Sequence, residues 1–306
     1  MDFLFNLYEN DMRKIGIVYR ARRFFLRRLI NVIDLAICYY RYYISPQNVD
    51  FSPDEADYFI SFTSFPGRIH NTWRVVENMF GQMTSENRVS LNLFLSKQQF
   101  SNGLSDLPKK LINQTNRGLH IHFMDDDLRA HKKYYYAFQK WSNKCIITID
   151  DDIIYQRTLI KELIDAHVLF PNLIISQRAR LIIEGQSYAT WPLIYEKNIK
   201  LFNVLTTNGG GTLFPPNCYS CNIFNKDIFK EICFFADDLW ISFMCRLHNK
   251  TIYYIGNNVE CVDILQSQKV ALRQINNNKE QNINDVQINN LSKWGMEKLS
   301  VDFYLN

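Results

Sequence analysis

Cys145-Ile-Ile-Thr-Ile149 runs straight into Asp150-Asp-Asp152 and returns to apolar residues at Ile153-Ile154. An apolar run this short suits a strand buried on both faces, as in a parallel sheet covered by helices. Its abrupt end in carboxylates matters, because ligands of open α/β sheets bind beyond the carboxyl ends of the strands. Three adjacent carboxylates repel one another, a cost that a divalent cation relieves. Oxygen-only ligands suit Mg2+ or Mn2+ rather than zinc. If the chain stays extended, Asp150 and Asp152 point to one side, where one ion could face both. The bland alternative is a solvated acidic turn ahead of a helix at Thr158–Val168.

Working outward, Tyr58-Phe-Ile-Ser-Phe-Thr63, Val89–Leu95 and Leu119–Met124 read as further strands. Between them lie a helical pattern through Trp73, Val76, Met79 and Phe80 and a helix-compatible stretch near Pro108–Gln114. Strands alternating with helices indicate an α/β domain with a mostly parallel sheet. Trp240, Phe243, Met244 and Leu247 share one face of a helix over Leu239–Leu247.

A second acidic triplet, Asp125-Asp-Asp127, ends the Leu119–Met124 strand and is followed by Lys132 and Lys133. That arrangement suits a metal-bound diphosphate, with lysine as a point charge on phosphate oxygens; alternatively Asp127 caps a helix. Asp237-Asp238 precedes Leu239 and reads either as a helix cap or as a general base for an attacking hydroxyl. Asn208-Gly-Gly-Gly211 allows positive φ and close approach of backbone to a ligand, or is a mobile loop. Neither a P-loop nor a Rossmann glycine fingerprint nor a Gly-x-Ser-x-Gly elbow is present, which disfavours P-loop ATP, NAD and serine-hydrolase chemistry.

Composition bounds the rest. With 306 residues, 22% of them charged, the chain is long enough for a sizeable core, and its net charge of +4 is too mild to argue for nucleic acid. Seven cysteines without a recognisable signal peptide lead us to expect free thiols and a cytoplasmic location. The pair Cys218 and Cys221 has zinc-ligand spacing but no matching second pair. Residues 1–53 interleave Arg20, Arg22, Arg23, Arg27 and Arg28 with Phe24, Phe25, Leu29 and Val32 and end in a tyrosine cluster. We read this as a basic amphipathic helical arm that either lies on an anionic membrane surface or packs on the main domain. Residues 54–264 form the catalytic domain in this reading. Residues 265–306 follow as an Asn-rich linker, Asn276–Asn290, and a short closing helix, Leu291–Leu299.

Taken in order, Ser61-Phe-Thr-Ser-Phe-Pro-Gly-Arg-Ile69, Asp126–Ala137, Thr148–Tyr155, Gly209–Pro216 and Ala236–Trp240 resemble a bacterial GT-A-type glycosyltransferase of surface-polysaccharide (capsule or lipopolysaccharide) synthesis. The resemblance spans roughly residues 58–250. It implies a GT-A-like, Rossmann-like sheet flanked by helices and a nucleotide-sugar donor, a UDP-sugar first among them. It further implies Mn2+ or Mg2+ and a glycan or lipid-linked acceptor. Asp150-Asp151-Asp152 matches the family's Asp-x-Asp motif, with Asp152 on the metal and Asp150 near the ribose. Thr63, Ser64, Phe65 and Arg68 fall where the base and ribose are held. Lys133 matches a lysine near the diphosphate or the sugar, with Asp127, Gly210 and Gly211 lining the donor. Asp238, with Asp237 as alternate, falls at the position of the acceptor's base in inverting members. The late histidine that many such enzymes give the metal has no clear counterpart, His248 being the nearest. Such an enzyme would sit in the cytoplasm, peripheral on the inner face of the cell membrane. A metal-dependent phosphohydrolase and a non-catalytic membrane-surface scaffold are the competing readings.

Overall fold

The computed structural model describes residues 1–48, 53–257, 260–270 and 282–305. Its strands are β1 (Tyr58–Thr63), β2 (Val89–Ser96), β3 (Leu119–Met124), β4 (Cys145–Thr148), β5 (Ile153–Ile154) and β6 (Ile174–Ser176). They continue with β7 (Ala179–Leu181), β8 (Ile199–Leu201), β9 (Val204–Thr206), β10 (Thr212–Phe214), β11 (Ile252–Tyr254) and β12 (Val262–Asp263). The helices are α1 (Asp2–Met12), α2 (Ile17–Tyr43), α3 (Ile69–Phe80), α4 (Lys109–Thr115) and α5 (Lys132–Lys140). After them come α6 (Leu159–Leu169), α7 (Lys226–Ile232), α8 (Asp237–Leu247) and α9 (Ile283–Leu299).

Eight strands form one sheet in the order β3-β2-β1-β4-β10-β6-β11-β8. It is mostly parallel, as the alternation of strands and helices predicts; β10 and β8 run against their neighbours. Both faces are buried, which is why β4 carries almost no polar residue. Ile147 and Ile149 pack with Ile60, Phe62, Val76, Met79 and Leu163 on one side. Ile146 packs with Phe59, Phe138, Phe214, Leu239 and Phe243 on the other. Ser61, Thr148, Thr212 and Ser176 align across β1, β4, β10 and β6, so the sheet turns polar at its carboxyl edge. The Ser61 hydroxyl donates to the carbonyl of Lys133, and Thr212 and Ser176 hydroxyls lie 3.2 Å apart.

Two expectations change. The chain does not stay extended beyond β4: it turns at Asp151-Asp152 and re-enters a two-stranded ladder, β5 with β12. The Asn-rich stretch is helical from Ile283, eight residues ahead of the expected start at Leu291, while residues 276–281 lie outside the described residues. Asn282 caps that helix by accepting from the Asn284 amide (3.0 Å), and Ile288 and Leu291 are buried against the α8 side of the core. Packing of this apolar pair outweighs the weak helix propensity of asparagine.

The N-terminal segment is packed rather than detached. Arg74 of α3 donates to Asp34 of α2 at 2.6 Å, both fully buried, and Ile30 and Cys38 share that inner face. Arg23 donates to the carbonyl of Asp11 at the end of α1, and Arg22 pairs with the Asp11 carboxylate. Among the described residues no helix is long and apolar enough to cross a membrane.

Candidate active site

Because β1, β2, β3, β4 and β6 run the same way, the segments after them leave the sheet at one edge. β10 runs the opposite way, so the glycine triplet that precedes it arrives at the same edge. Each of these glycines is there for lack of space. A Cβ on Gly209 would lie 1.9 Å from Asp150 Oδ2, one on Gly210 would lie 2.7 Å from the Arg178 Cβ, and Gly211 has φ +102°.

Lys133, at the start of α5, is the centre of the cluster. Its buried ammonium donates to Asp150 Oδ1 (2.8 Å) and lies 3.0 Å from Asp237 Oδ2. Burial opposes its charge, but Asp150, Asp237 and Asp238 outweigh burial and hold it protonated well above the usual lysine range. Asp150 answers in kind: burial raises its pKa, while Lys133, Arg68 and Arg178 pull it below the usual carboxylate value. Asp237 and Asp238 occupy the first turn of α8 behind Ala236, where the helix dipole favours them, and neither serves as its cap. Asp238 Oδ1 accepts from the Asn208 amide (3.0 Å), tying α8 to the glycine loop. Burial and the neighbouring Asp237 push Asp238 up to about 7.

The other two members of the triplet turn towards the loop after β1. Ser64 donates to Asp151 Oδ2 (2.5 Å), and Arg68 reaches Asp151 and Asp152, each at 3.0 Å. Burial and repulsion from Asp151 leave Asp152 at about 7 in spite of Arg68. Thr63 donates to the Phe94 carbonyl (2.7 Å), locking β1 to β2, and Phe65 lies under the Arg68 guanidinium at 5.5 Å. The second triplet disperses. Asp125 pairs with Lys97, Asp126 with Lys226, and Asp127 accepts from Gln99, from the Arg129 amide and from Lys132. Lys132 and Lys133 therefore serve different carboxylates.

Two residues of this edge escape a reading of the sequence. Tyr155 accepts from the Asp150 amide (2.8 Å) and donates to the Gly209 carbonyl, so one buried phenol joins the triplet to the glycine loop. Arg178 follows β6 and donates to Thr207 Oγ1 (2.8 Å); burial opposes its charge, yet Glu260 and Asp238, among its neighbours, help to keep it protonated. Applying the carboxyl-end rule to β6, and not to β4 alone, is the signal that would have found Arg178.

Five carboxylates (Asp150, Asp151, Asp152, Asp237, Asp238) thus gather with the cations Lys133, Arg68 and Arg178, and their crowding shows in Asp152 and Asp238, each pushed up to about 7. No group of three or more His, Cys, Asp and Glu arranged to hold a metal ion occurs among the described residues. An ion held by only one or two of these carboxylates, the habit of Mg2+, would not need such a group. His248 caps the far end of α8, roughly 15 Å from Asp238 along the helix. Cys218 is buried while Cys221 is exposed, so this pair does not converge.

No protein-family model and no curated protein matches the chain. Among solved structures, the chain is similar to S. aureus TarS 1-349, at a TM-score of 0.45 and 8% identity over 79% of this chain and 72% of that one. The same protein in complex with UDP gives 0.44 and 11% over 79% and 72%. In complex with UDP-GlcNAc it gives 0.41 and 9% over 79% and 73%. Likeness of this order assigns no role to any residue here; those rest on the geometry above.

Proposed function

We propose that the chain is a glycosyltransferase that moves a sugar from a nucleotide-diphosphate-sugar, a UDP-sugar first among them, to a hydroxyl of a glycan or lipid-linked acceptor in bacterial surface-polysaccharide synthesis. The observation that carries this reading is the Lys133 bridge between Asp150 at the end of β4 and the Asp237-Asp238 pair of α8. It sets a cation suited to a leaving diphosphate beside a carboxylate suited to an incoming hydroxyl.

The reaction is a single displacement with inversion. The acceptor oxygen bonds to the anomeric carbon as the bond from that carbon to the diphosphate oxygen breaks, and the hydroxyl proton passes to Asp238. With a pKa of about 7, Asp238 is matched to proton transfer near neutrality. Lys133 and Arg68 are fixed in place before reaction and oppose the charge that develops on the leaving group. Asp150 and Asp152 would hold Mn2+ or Mg2+, which when bound neutralises diphosphate charge. Gly210 and Gly211 bring backbone, rather than side chain, to the donor side of the pocket.

The test is a binding titration with UDP, GDP and CMP, with and without Mn2+, on the wild type and Asp152→Ala. We expect one nucleotide to bind in a Mn2+-dependent manner and the variant to lose it. Absence of binding by all of them would refute the transferase reading and favour the scaffold. Release of inorganic phosphate without acceptor would favour the phosphohydrolase.

A further inference from the structure

Helix α2 has two faces that do different things. Its inner face is wired into the wall of the candidate site: Arg27 donates to Asp263 (2.8 Å), Asn31 donates to the Asp263 carbonyl (3.0 Å) and accepts from the Leu265 amide (3.1 Å). One residue on, the Ile264 amide donates to the carbonyl of Asp152 (2.7 Å). Its outer face carries Val18, Phe25, Leu29, Val32, Tyr40 and Tyr43, which recur every three or four residues, or at sums of those steps, along the 27-residue helix. All are exposed, Phe25 to 67% and Val32 to 65%, which makes a continuous apolar stripe roughly 40 Å long.

We propose that this stripe docks on an anionic lipid surface, lying in the interface plane with Arg28 on its rim at the headgroups. Charge decides the occupant. The helix has one acidic residue, Asp34, and it is buried against Arg74, so α2 puts no carboxylate on its outer face; Arg22 there pairs with the buried Asp11 of α1, which leaves Arg28 as the rim's charge. A second copy of the same face would set arginine against arginine, whereas phosphate headgroups are complementary. Tyrosines at one end suit the depth of the headgroups. Since the inner face holds the segment that seats Asp152, docking fixes the aspartate edge relative to the surface. The helix is therefore no detachable anchor, and point changes on its outer face, not its removal, are the fair test. The proposal stands on the residues of α2 and does not require the transferase reading.

The experiment is co-flotation of the full chain with vesicles of phosphatidylcholine alone and of phosphatidylcholine with phosphatidylglycerol. It compares wild type, Phe25→Glu/Leu29→Glu/Val32→Glu, and Arg28→Gln, with light scattering of each without lipid. We expect wild type to partition about tenfold or more better onto the anionic vesicles and the triple variant to stay in solution. The arginine variant should lose about fivefold. Partition that ignores lipid charge, absence of partition, or a triple variant that floats like wild type would each overturn the proposal. So would a wild-type dimer that the triple variant dissociates. A nucleotide titration on the same samples keeps this outcome separate: its failure bears on the transferase reading alone.

Discussion

Replacing Lys133 by methionine tests the centre of the site, because it keeps the length of the stem and removes the charge. In the wild type the ammonium, 4% exposed, serves Asp150 and Asp237, whose side chains are 37% and 11% exposed. Removing one member of a buried pair costs about 3–5 kcal/mol, since the partner is left charged and unpaired. Asp150 is more than a third exposed and water screens it, so the expected cost is about 2–4 kcal/mol near neutral pH. The cost must also depend on pH. Lys133 lowers the pKa of both Asp150 and Asp238, so its loss raises Asp238 further above its unfolded value of about 3.9 and moves Asp150 up from its depressed one. A carboxyl whose folded pKa is raised takes up a proton more readily in the folded state. Stability is then gained as pH falls from the folded pKa towards the unfolded one.

The deficit of Lys133→Met should thus be largest at about pH 8 and shrink towards about pH 5. Asp150 in the wild type behaves in the opposite sense. Its pKa is depressed, so its contribution is present above the unfolded value and lost as pH falls through the folded one. Urea unfolding at both pH values, with an unchanged slope against denaturant, measures the difference. A deficit below about 1 kcal/mol at pH 8, or one that does not change with pH, would show that Lys133 does not neutralise these carboxylates in solution.

Asp238→Asn should lower sugar transfer by about a hundredfold or more, and the wild-type rate should rise with pH about a midpoint near 7. The same variant should unfold no more easily than wild type at about pH 8, because charging Asp238 in the fold is unfavourable above its unfolded pKa; a loss of stability there would contradict its raised pKa. Gly209→Ala places a Cβ 1.9 Å from Asp150 Oδ2, so nucleotide binding should fail while the fold loses only about 1–3 kcal/mol, read by titration and thermal unfolding side by side. Arg74→Met strands Asp34 in the interior between α2 and α3 and should cost about 3–5 kcal/mol; a cost under about 1 kcal/mol by urea unfolding would mean that α2 is held by other contacts.

The parts of this molecule that the sequence discloses are those whose cause is local. A strand covered on both faces must be apolar, so β4 announces itself. Carboxylates at its end must be compensated, so Asp150 stands out, whereas Lys133 reads in the sequence as a charge for a diphosphate and not as the partner of Asp150 and Asp237. The rest depends on pairings distant in the chain. Arg68 and Asp152 are 84 positions apart, and nothing in either stretch says that this guanidinium reaches the third aspartate. The direction of β10 is equally silent: three residues have no periodicity, and only pairing with β4 and β6 makes it antiparallel. That reversal is what delivers Gly209 to the Asp150 carboxylate and explains why its neighbour across the gap is Tyr155. A tyrosine within an apolar run reads as core, and core it is, yet its hydroxyl spans the two loops that bring carboxylate and glycine together. The residues hidden from the sequence are therefore the ones that hold others in place, because a positioning role exists only between segments. The acidic triplets are visible because their mutual repulsion is local to three adjacent residues.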